Sequence, residues 1–285
     1  MSPELLLQFA LLGVLLPAVV TGVVFLALRT VLPERAAALG ITAGFIAGFF
    51  GISGLGGYAF PPRTVQQWLP HAALVALGLG VLEPRWFGNL FARWGVRLVL
   101  INLLLWRLFQ PFINHPFPAR RWTTLQTLGN LTLISVTLVL FWWALDYLLS
   151  RRRELTPNRA DAPVATALTV MVAGSAIGVV LAHSLIMGLL TGALTATLGA
   201  VAVVIWLFRG RLGVSASPLI AVLVALPWLS LYNTLPKPAV LVLALTPWLL
   251  VVPLERFPLW QRTLYQVGLV AVPTVLMLFL TFRLS

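Results

Sequence analysis

About ten apolar stretches, each followed by a turn that contains arginine, proline or glycine, occupy this chain of 285 residues almost from end to end. A helix that crosses about 30 Å of hydrocarbon needs about 20 apolar residues, and most of the stretches approach that length. The sequence therefore predicts an all-α, polytopic integral membrane bundle of about ten transmembrane helices. We place the spans near 5–28, 36–55, 69–82, 95–112, 123–149, 163–183, 185–208, 217–232, 239–254 and 261–282.

The composition excludes several functional classes. Hydrophobic residues form 60% of the chain and charged residues 9%, whereas soluble domains have about 45–50% and about 25%. The net charge is +12, but the basic residues lie in turns between apolar spans. We therefore assign them to the surface of the lipid bilayer and expect no nucleic-acid partner. The chain has no cysteine, which excludes disulfides, thiolate nucleophiles and Cys-ligated metals, and we predict no cofactor.

Positive charge predicts the topology, because cytoplasmic loops carry the excess of Lys and Arg. With ten crossings and the N-terminus outside, most of the arginines fall on one side, including those of the polar linker 151–162. We predict a multi-pass protein of the inner (plasma) membrane with both termini on the non-cytoplasmic side. We interpret the acids on the cytoplasmic side, Glu34, Asp146 and Asp161 among them, as solvated turn residues. Trp142 and Trp143 are interpreted as an interfacial anchor.

The two halves of the chain share a weak pattern in the same order. Gly22-Val23-Val24 recurs as Gly178-Val179-Val180, and Phe117-Pro118 recurs as Phe257-Pro258. Residues 1–150 and 163–285 would then be five-helix halves joined by the cytoplasmic linker 151–162. Five spans reverse direction, so such a repeat would be inverted in the membrane. Chance matches in a chain built from few residue types are the alternative.

Small residues recur every four positions in two spans. This spacing places them on one helix face, where they let a second backbone approach closely. We predict that the second and seventh spans cross at the centre of the bundle, and we favour packing over a sliding interface. The residues are Gly40, Gly44 and Gly48 in the second span and Gly188, Gly192 and Ala196 in the seventh.

A few polar residues near or within the spans are candidates for a solute site. Arg107 lies about one turn from the outer end of its span, so it must snorkel, pair or line a wet cavity. The outer side is predicted to be cationic, which suits an anionic solute or lipid headgroup; separate interfacial anchoring is the alternative. Asn102 and Asn130 are expected to hydrogen-bond across helices. The candidate substrate-binding residues are His71, Asn102, Arg107, Asn130, His183, Pro227 and Lys237.

A translocation path is expected between the third and eighth spans. The third span is short, and Pro227 interrupts the eighth. Under the repeat these two spans correspond, and paired short or broken helices at matching positions indicate the central site of a transporter.

Catalytic and metal sites receive weaker support. His71, His115 and His183 are too far apart in sequence for a metal site, so we predict none. Gly51-Ile52-Ser53-Gly54 resembles the segment around the serine of rhomboid proteases. The segment Ala182-His183, followed by two glycines, resembles the one that carries their histidine, although the family spacing is shorter. The resemblance implies a Ser53–His183 hydrolase; a serine bonded within its own helix and an interfacial histidine are the alternative that we favour.

Three functions remain open, in this order. The first is a transporter-like protein that moves or binds a small amphiphilic or anionic solute, and its size and plan resemble those of the drug and metabolite transporter superfamily. The second is a non-catalytic structural or accessory subunit, with partner membrane subunits or a homo-oligomer. The third is a membrane-embedded enzyme, so a protein without catalytic activity is favoured.

Overall fold

The computed structural model describes residues 3–53, 60, 62, 64, 66–86, 90–113, 123–155, 161–181, 185–224, 246, 248–252 and 256–284. Regular structure in these residues is helical, without a strand. The helices are α1 Pro3–Ala10, α2 Leu16–Leu28, α3 Ala36–Ser53, α4 Leu69–Trp86, α5 Leu90–Ile113, α6 Thr124–Leu155, α7 Ala162–Leu181, α8 Leu185–Phe208, α9 Val214–Val224 and α10 Leu259–Leu284. A π-helical turn, Leu11–Leu15, joins α1 to α2 directly ahead of Pro17.

Five helices in the described ranges are long and apolar enough to cross a membrane, as a helical membrane protein requires. They are Leu7–Leu28, Thr124–Ser150, Ala162–Leu181, Leu185–Phe208 and Leu259–Arg283. The apolar parts of α3 and α9 are shorter, and most of the predicted ninth span lies outside the described residues. The count of about ten spans therefore stays a prediction.

Helices α2, α3, α7, α8 and α10 form what we call the compact region. A Cβ atom on Gly44 of α3 would overlap the Thr21 hydroxyl and lie 2.5 Å from the Pro17 carbonyl oxygen, both on α2. A Cβ atom on Gly48 would lie 3.0 Å from the Cβ of Ala193 on α8. The α3 glycines thus allow α2 and α8 to approach the α3 backbone, which strengthens dispersion where lipid supplies no hydrophobic drive.

The small residues of α8 have different surroundings. A Cβ atom on Gly188 would overlap Val180 of α7, and one on Gly192 would meet nothing within 4 Å. Ala196 is half-buried. The side of α8 that faces the α3 glycines carries Ala193 and Thr197. Helices α3 and α8 therefore meet, but through the α3 glycines and a neighbouring face of α8.

Helices α4, α5, α6 and α9 form what we call the open region. Helix α5 packs on α6, while α4 packs on α3 and on the first turn of α9. That last contact is close, because a Cβ atom on Gly80 would overlap the Ser215 carbonyl oxygen. Along their described lengths α4 and α5 do not pack closely together. A gap therefore separates two helices that are neighbours in sequence.

Three turns that the sequence predicts on the cytoplasmic side meet at one end of the molecule. The Ser215 hydroxyl donates to the Glu34 carbonyl oxygen. The Leu212 backbone N–H donates to the Asp161 carboxylate at 2.9 Å. Asp161 is 8% exposed, so its interpretation as a solvated turn residue is wrong. Its carboxylate instead supplies an acceptor for a backbone group of a distant turn.

Candidate functional site

A cavity of about 330 Å³ fills the gap between α4 and α5. Its walls are mostly apolar, and the exposed side chains Val75 and Leu103 mark its opening on the flank of the bundle. Ligand pockets commonly combine apolar walls with a few polar groups. The lining residues are Trp68, His71, Ala72, Val75, Ala76, Leu79, Leu100, Ile101, Leu103, Leu104, Arg107, Trp142 and Val222.

The polar groups of the cavity gather at one end, which we call the rim. Because α4 begins at the end where α5 finishes, Trp68 and His71 meet Arg107 there. The Arg107 guanidinium lies 4.8 Å from the centre of a Trp68 ring and donates to the Gln110 side-chain oxygen. Arg107 is exposed, so its charge keeps contact with solvent or headgroups. The rim is thus a cationic and aromatic edge above apolar walls.

His71 adds a second nitrogen donor or acceptor to the rim. Its Nδ1 lies 3.3 Å from the Gln67 carbonyl oxygen, and its ring centre is 5.6 Å from that of Trp68. A carbonyl oxygen only accepts, so Nδ1 carries the proton in this bond. Nε2 then accepts a hydrogen bond when the ring is neutral and donates one when it is charged.

The opposite end of the cavity, which we call the floor, rests on a buried ion pair. Arg97 of α5 is 4% exposed and lies 2.5 Å from a carboxylate oxygen of Asp146 on α6. Its guanidinium stacks between Trp94, at 4.8 Å, and Trp142, at 4.3 Å. Ser217 of α9 donates to the other Asp146 oxygen. Three helices are therefore joined beneath the cavity, and the interpretation of Asp146 as a solvated turn residue is wrong.

The adjacent tryptophans of α6 differ in their surroundings. Trp142 is fully buried and lines the cavity, whereas Trp143 is 44% exposed and stacks on Tyr147. The interpretation of both as an interfacial anchor is therefore wrong for Trp142. Sequence reasoning also missed Trp68 as a lining residue, although its spacing of three residues from His71 places both on one face of a helical turn.

The structure separates the candidate solute-binding residues into three groups. His71 and Arg107 meet at the rim. Asn102 donates to the Ser135 hydroxyl of α6 at 3.0 Å, as expected of a bond across helices, and Asn130 is half-buried on α6; neither lines the cavity. The third group lies outside the described residues and comprises His183, Pro227 and Lys237.

The cavity differs in position from the expected path between the third and eighth spans. It lies mainly between α4 and α5, which are the third and fourth predicted spans, and α9 contributes Val222. A second cavity of about 270 Å³ lies where the π-helical turn meets α7 and α8. Its lining is apolar and includes Gly188 and Gly192. The cavity with the charged rim is therefore the better candidate for a functional site.

Other chemistry finds little support in the described part of the chain. No group of three His, Asp or Glu side chains there could hold a metal ion. Ser53 ends α3, but its side chain and the whole of His183 lie outside the described atoms, so the hydrolase stays a prediction. The chain matches no protein-family model, no curated protein and no solved structure.

Proposed function

We propose that this chain is a membrane protein that binds a small amphiphilic anion in the cavity between α4 and α5 and moves it across the bilayer. The observation that carries the proposal is the combination of apolar walls with a cationic rim in one cavity. An apolar tail gains free energy from burial against the walls, and an anionic head is attracted to Arg107.

The volume of the cavity limits the size of the ligand. One water molecule occupies about 30 Å³ in the liquid, so 330 Å³ has room for about ten non-hydrogen atoms. A medium-length alkyl chain with its head at the rim fits this volume. A longer tail would leave through the flank, beside Val75 and Leu103.

For the ligand to cross the bilayer, the helices of the open region would have to move relative to one another while those of the compact region stay in place. The ion pair of Arg97 and Asp146 joins α5, α6 and α9 beneath the cavity and would act as the inner barrier. Barriers of this kind open when helices rock against a fixed partner. The close glycine contacts of α2, α3 and α8 would supply that partner.

Binding to purified protein in nanodiscs tests the first half of the proposal. At a pH where the carboxylate is ionised, decanoate should bind more tightly than decan-1-ol or decyltrimethylammonium, after correction for protein-free discs. Arg107→Gln should remove most of the preference for decanoate, and Arg107→Lys should retain part of it, because the charge remains.

Arg283→Gln is the matched control for Arg107→Gln. Arg283 is also exposed and also lies over an aromatic ring, that of Phe279 at 5.6 Å, but it lies on α10 and lines neither cavity described above. The control should bind decanoate like the wild type. Equal binding of all three decyl compounds by the wild type would refute the proposed function.

Uptake into proteoliposomes tests the second half. Octanesulfonate is a permanent anion that crosses lipid slowly unaided, so its accumulation reports on the protein. Uptake above that of empty liposomes, lowered by Arg107→Gln, is the expected result. If decanoate binds but octanesulfonate is not taken up, the protein binds amphiphilic anions and the proposed transport is refuted.

An accessory subunit is the second candidate function, and the exposed apolar side chains of α10 favour it. Val272 and Val275 are among them, and a partner could pack on them. Purification in mild detergent followed by mass spectrometry separates the candidates. Stoichiometric partner proteins would favour the subunit, whereas a monomer or homodimer with a retained amphiphile would favour transport.

A further inference from the structure

The cavity between α4 and α5 has a closed back and an open front. The front carries Val75 of α4 and Leu103 of α5, which are 52% and 61% exposed. A ligand in the cavity would therefore be enclosed on one side and uncovered on the other. The back wall consists of buried side chains, namely Ala72, Ala76, Ile101, Trp142 and Val222.

The opening continues from the rim towards the floor. Val75 follows His71 by four residues on α4, and Leu103 precedes Arg107 by four residues on α5. Residues four apart lie on the same helix face, one turn from each other. A tail whose head contacts Arg107 would thus lie along the opening instead of behind a closed wall.

The surface beside the opening is apolar on both helices. Leu74 of α4 and Val99 of α5 are exposed there. The Asn102 amide group on the same flank donates both to the Ser135 hydroxyl and to the Leu98 carbonyl oxygen. An extended apolar surface of this kind suits contact with the acyl chains of a bilayer better than contact with water.

The rim has the composition of a membrane–water interface. Arg107 is exposed, and so is its neighbour Trp106. Tryptophan and arginine side chains favour the depth of the lipid headgroups. A lipid head at this depth could reach Arg107 without entering the hydrocarbon, where a charge is costly. Sideways entry would then move only the tail, which stays in apolar surroundings throughout.

The size of the cavity limits the number of tails. It has room for about ten non-hydrogen atoms, which is enough for the first part of one alkyl chain and too little for two chains. The remainder of a long chain would pass between Val75 and Leu103 into the bilayer. The open front thus allows a long tail that a closed cavity of the same volume would exclude.

We propose that the ligand is a single-chain anionic lipid that enters the cavity sideways from the bilayer. Its head lies at Arg107, the first part of its tail lies against the back wall, and the end of its tail stays among the acyl chains. This inference rests on the proposed function, because it names the class and the source of the ligand for the same cavity. The other source would be a short, water-soluble amphiphile that the cavity holds as a whole.

Two permanent anions with the same head test the inference, octanesulfonate and hexadecanesulfonate. Binding in nanodiscs would be measured for the wild type and for Leu103→Trp, which narrows the opening. This variant should weaken binding of hexadecanesulfonate about tenfold, roughly the effect of two methylene groups that no longer contact the walls. Octanesulfonate has no tail to pass through the opening, so its affinity should stay within about twofold of the wild type.

Leu98→Trp is the matched control for Leu103→Trp. Leu98 is also exposed on α5, but it does not line the cavity. The control should bind both sulfonates like the wild type. Each variant is compared with the wild type for the same ligand, so partition of the ligand into the lipid does not affect the ratio.

A bulky group at the end of the tail provides a second measurement that needs no variant. Pyrene has sixteen carbon atoms and exceeds the room for about ten in the cavity. Hexadecanesulfonate with pyrene on its last carbon should bind the wild type within about threefold of the unmodified compound, because the end of the tail stays in the bilayer. Both affinities would be expressed as mole fractions of the lipid.

The outcomes separate this inference from the proposed function. The inference is overturned, while the anion site stands, if only octanesulfonate binds, if Leu103→Trp changes the affinities of both sulfonates equally or of neither, or if pyrene abolishes binding. If neither sulfonate binds the wild type better than the alcohol of the same chain length, both proposals fall together.

Discussion

The compact region and the open region hold their helices together by different contacts. In the compact region, α3 glycines let the backbones of α2 and α8 approach closely. In the open region, a buried ion pair, tryptophans stacked on its arginine and the bond from Asn102 to Ser135 join α5 to α6, and a cavity separates α5 from α4. Helix α5 thus packs on α6 through polar side chains, whereas α4 packs on α3 and α9 and not closely on α5. The cavity with the charged rim lies where that packing is missing.

The buried ion pair of the open region should give the largest effect on stability. Asp146→Asn removes the carboxylate charge that lies 2.5 Å from the buried Arg97 guanidinium, so the free energy of unfolding should fall by about 3–5 kcal/mol. Denaturant titration in detergent measures this change. The double variant Arg97→Leu with Asp146→Asn should recover most of it, because neither member of the pair is then charged. A double variant as unstable as Asp146→Asn would show that the polar contacts do not hold this region.

A methyl group in the compact region should have the next largest effect. Gly44→Ala places a Cβ atom against the Pro17 carbonyl oxygen, so α2 and α3 must separate, at a cost of about 1–3 kcal/mol. Gly192→Ala is the matched control, since its Cβ atom would meet nothing within 4 Å. The control should unfold at the same denaturant concentration as the wild type or at a slightly higher one, because alanine has a higher helix propensity than glycine. Equal loss in both variants would contradict the packing described for α3.

The hydrogen bond between α5 and α6 should contribute a smaller amount. Asn102→Ala removes the donor to Ser135 and should lower the free energy of unfolding by about 1 kcal/mol. A double-mutant cycle with Ser135→Ala isolates the pair from the loss of side-chain volume. Strictly additive losses would mean that the two side chains do not interact.

The exposed ion pair between Glu34 and Arg211, where the three predicted cytoplasmic turns meet, should give the smallest effect. The Glu34 carboxylate lies 3.6 Å from Arg211, and both side chains are more than one third exposed. Surface pairs of this kind contribute about 0–1 kcal/mol, so Glu34→Gln should change stability little and less still in high salt. A loss close to that of Asp146→Asn would remove the distinction between buried and exposed pairs.

Helix positions could be predicted from the sequence because hydrocarbon thickness and turn residues limit where a span begins and ends. The second span, expected near 36–55, is α3 at Ala36–Ser53, and the tenth, near 261–282, is α10 at Leu259–Leu284. Which helices are neighbours was harder to predict. In spans this apolar, polarity does not distinguish one helix face from another. The small-residue spacing of α8 predicted contact with α3 through Gly188 and Gly192, but α3 packs on Ala193 and Thr197.

Residues of the candidate site could be predicted from the sequence only where a polar side chain is unusual for its apolar span. Arg107 was a candidate because a charge within an apolar span must snorkel, pair or line a wet cavity. His71 was a candidate because it is predicted to lie on the same side of the membrane. Asp146 and Arg97 are 49 residues apart, and each resembles an ordinary residue at a helix end. Their pairing depends on how α5 and α6 meet, which no local pattern encodes. Trp142 has the same difficulty, since Trp143 beside it has the same chemistry and an opposite environment.

The contact between Gly48 and Ala193 also has a consequence for the time course of membrane insertion. Ala193 follows Gly48 by about 145 residues, and synthesis adds about 5–20 residues each second. The α3 glycine face is therefore made on the order of ten seconds before the α8 residues that cover it. During that interval Pro17 and Thr21 of α2 can already cover part of the face, and lipid or an insertion chaperone must occupy the part that α8 later covers.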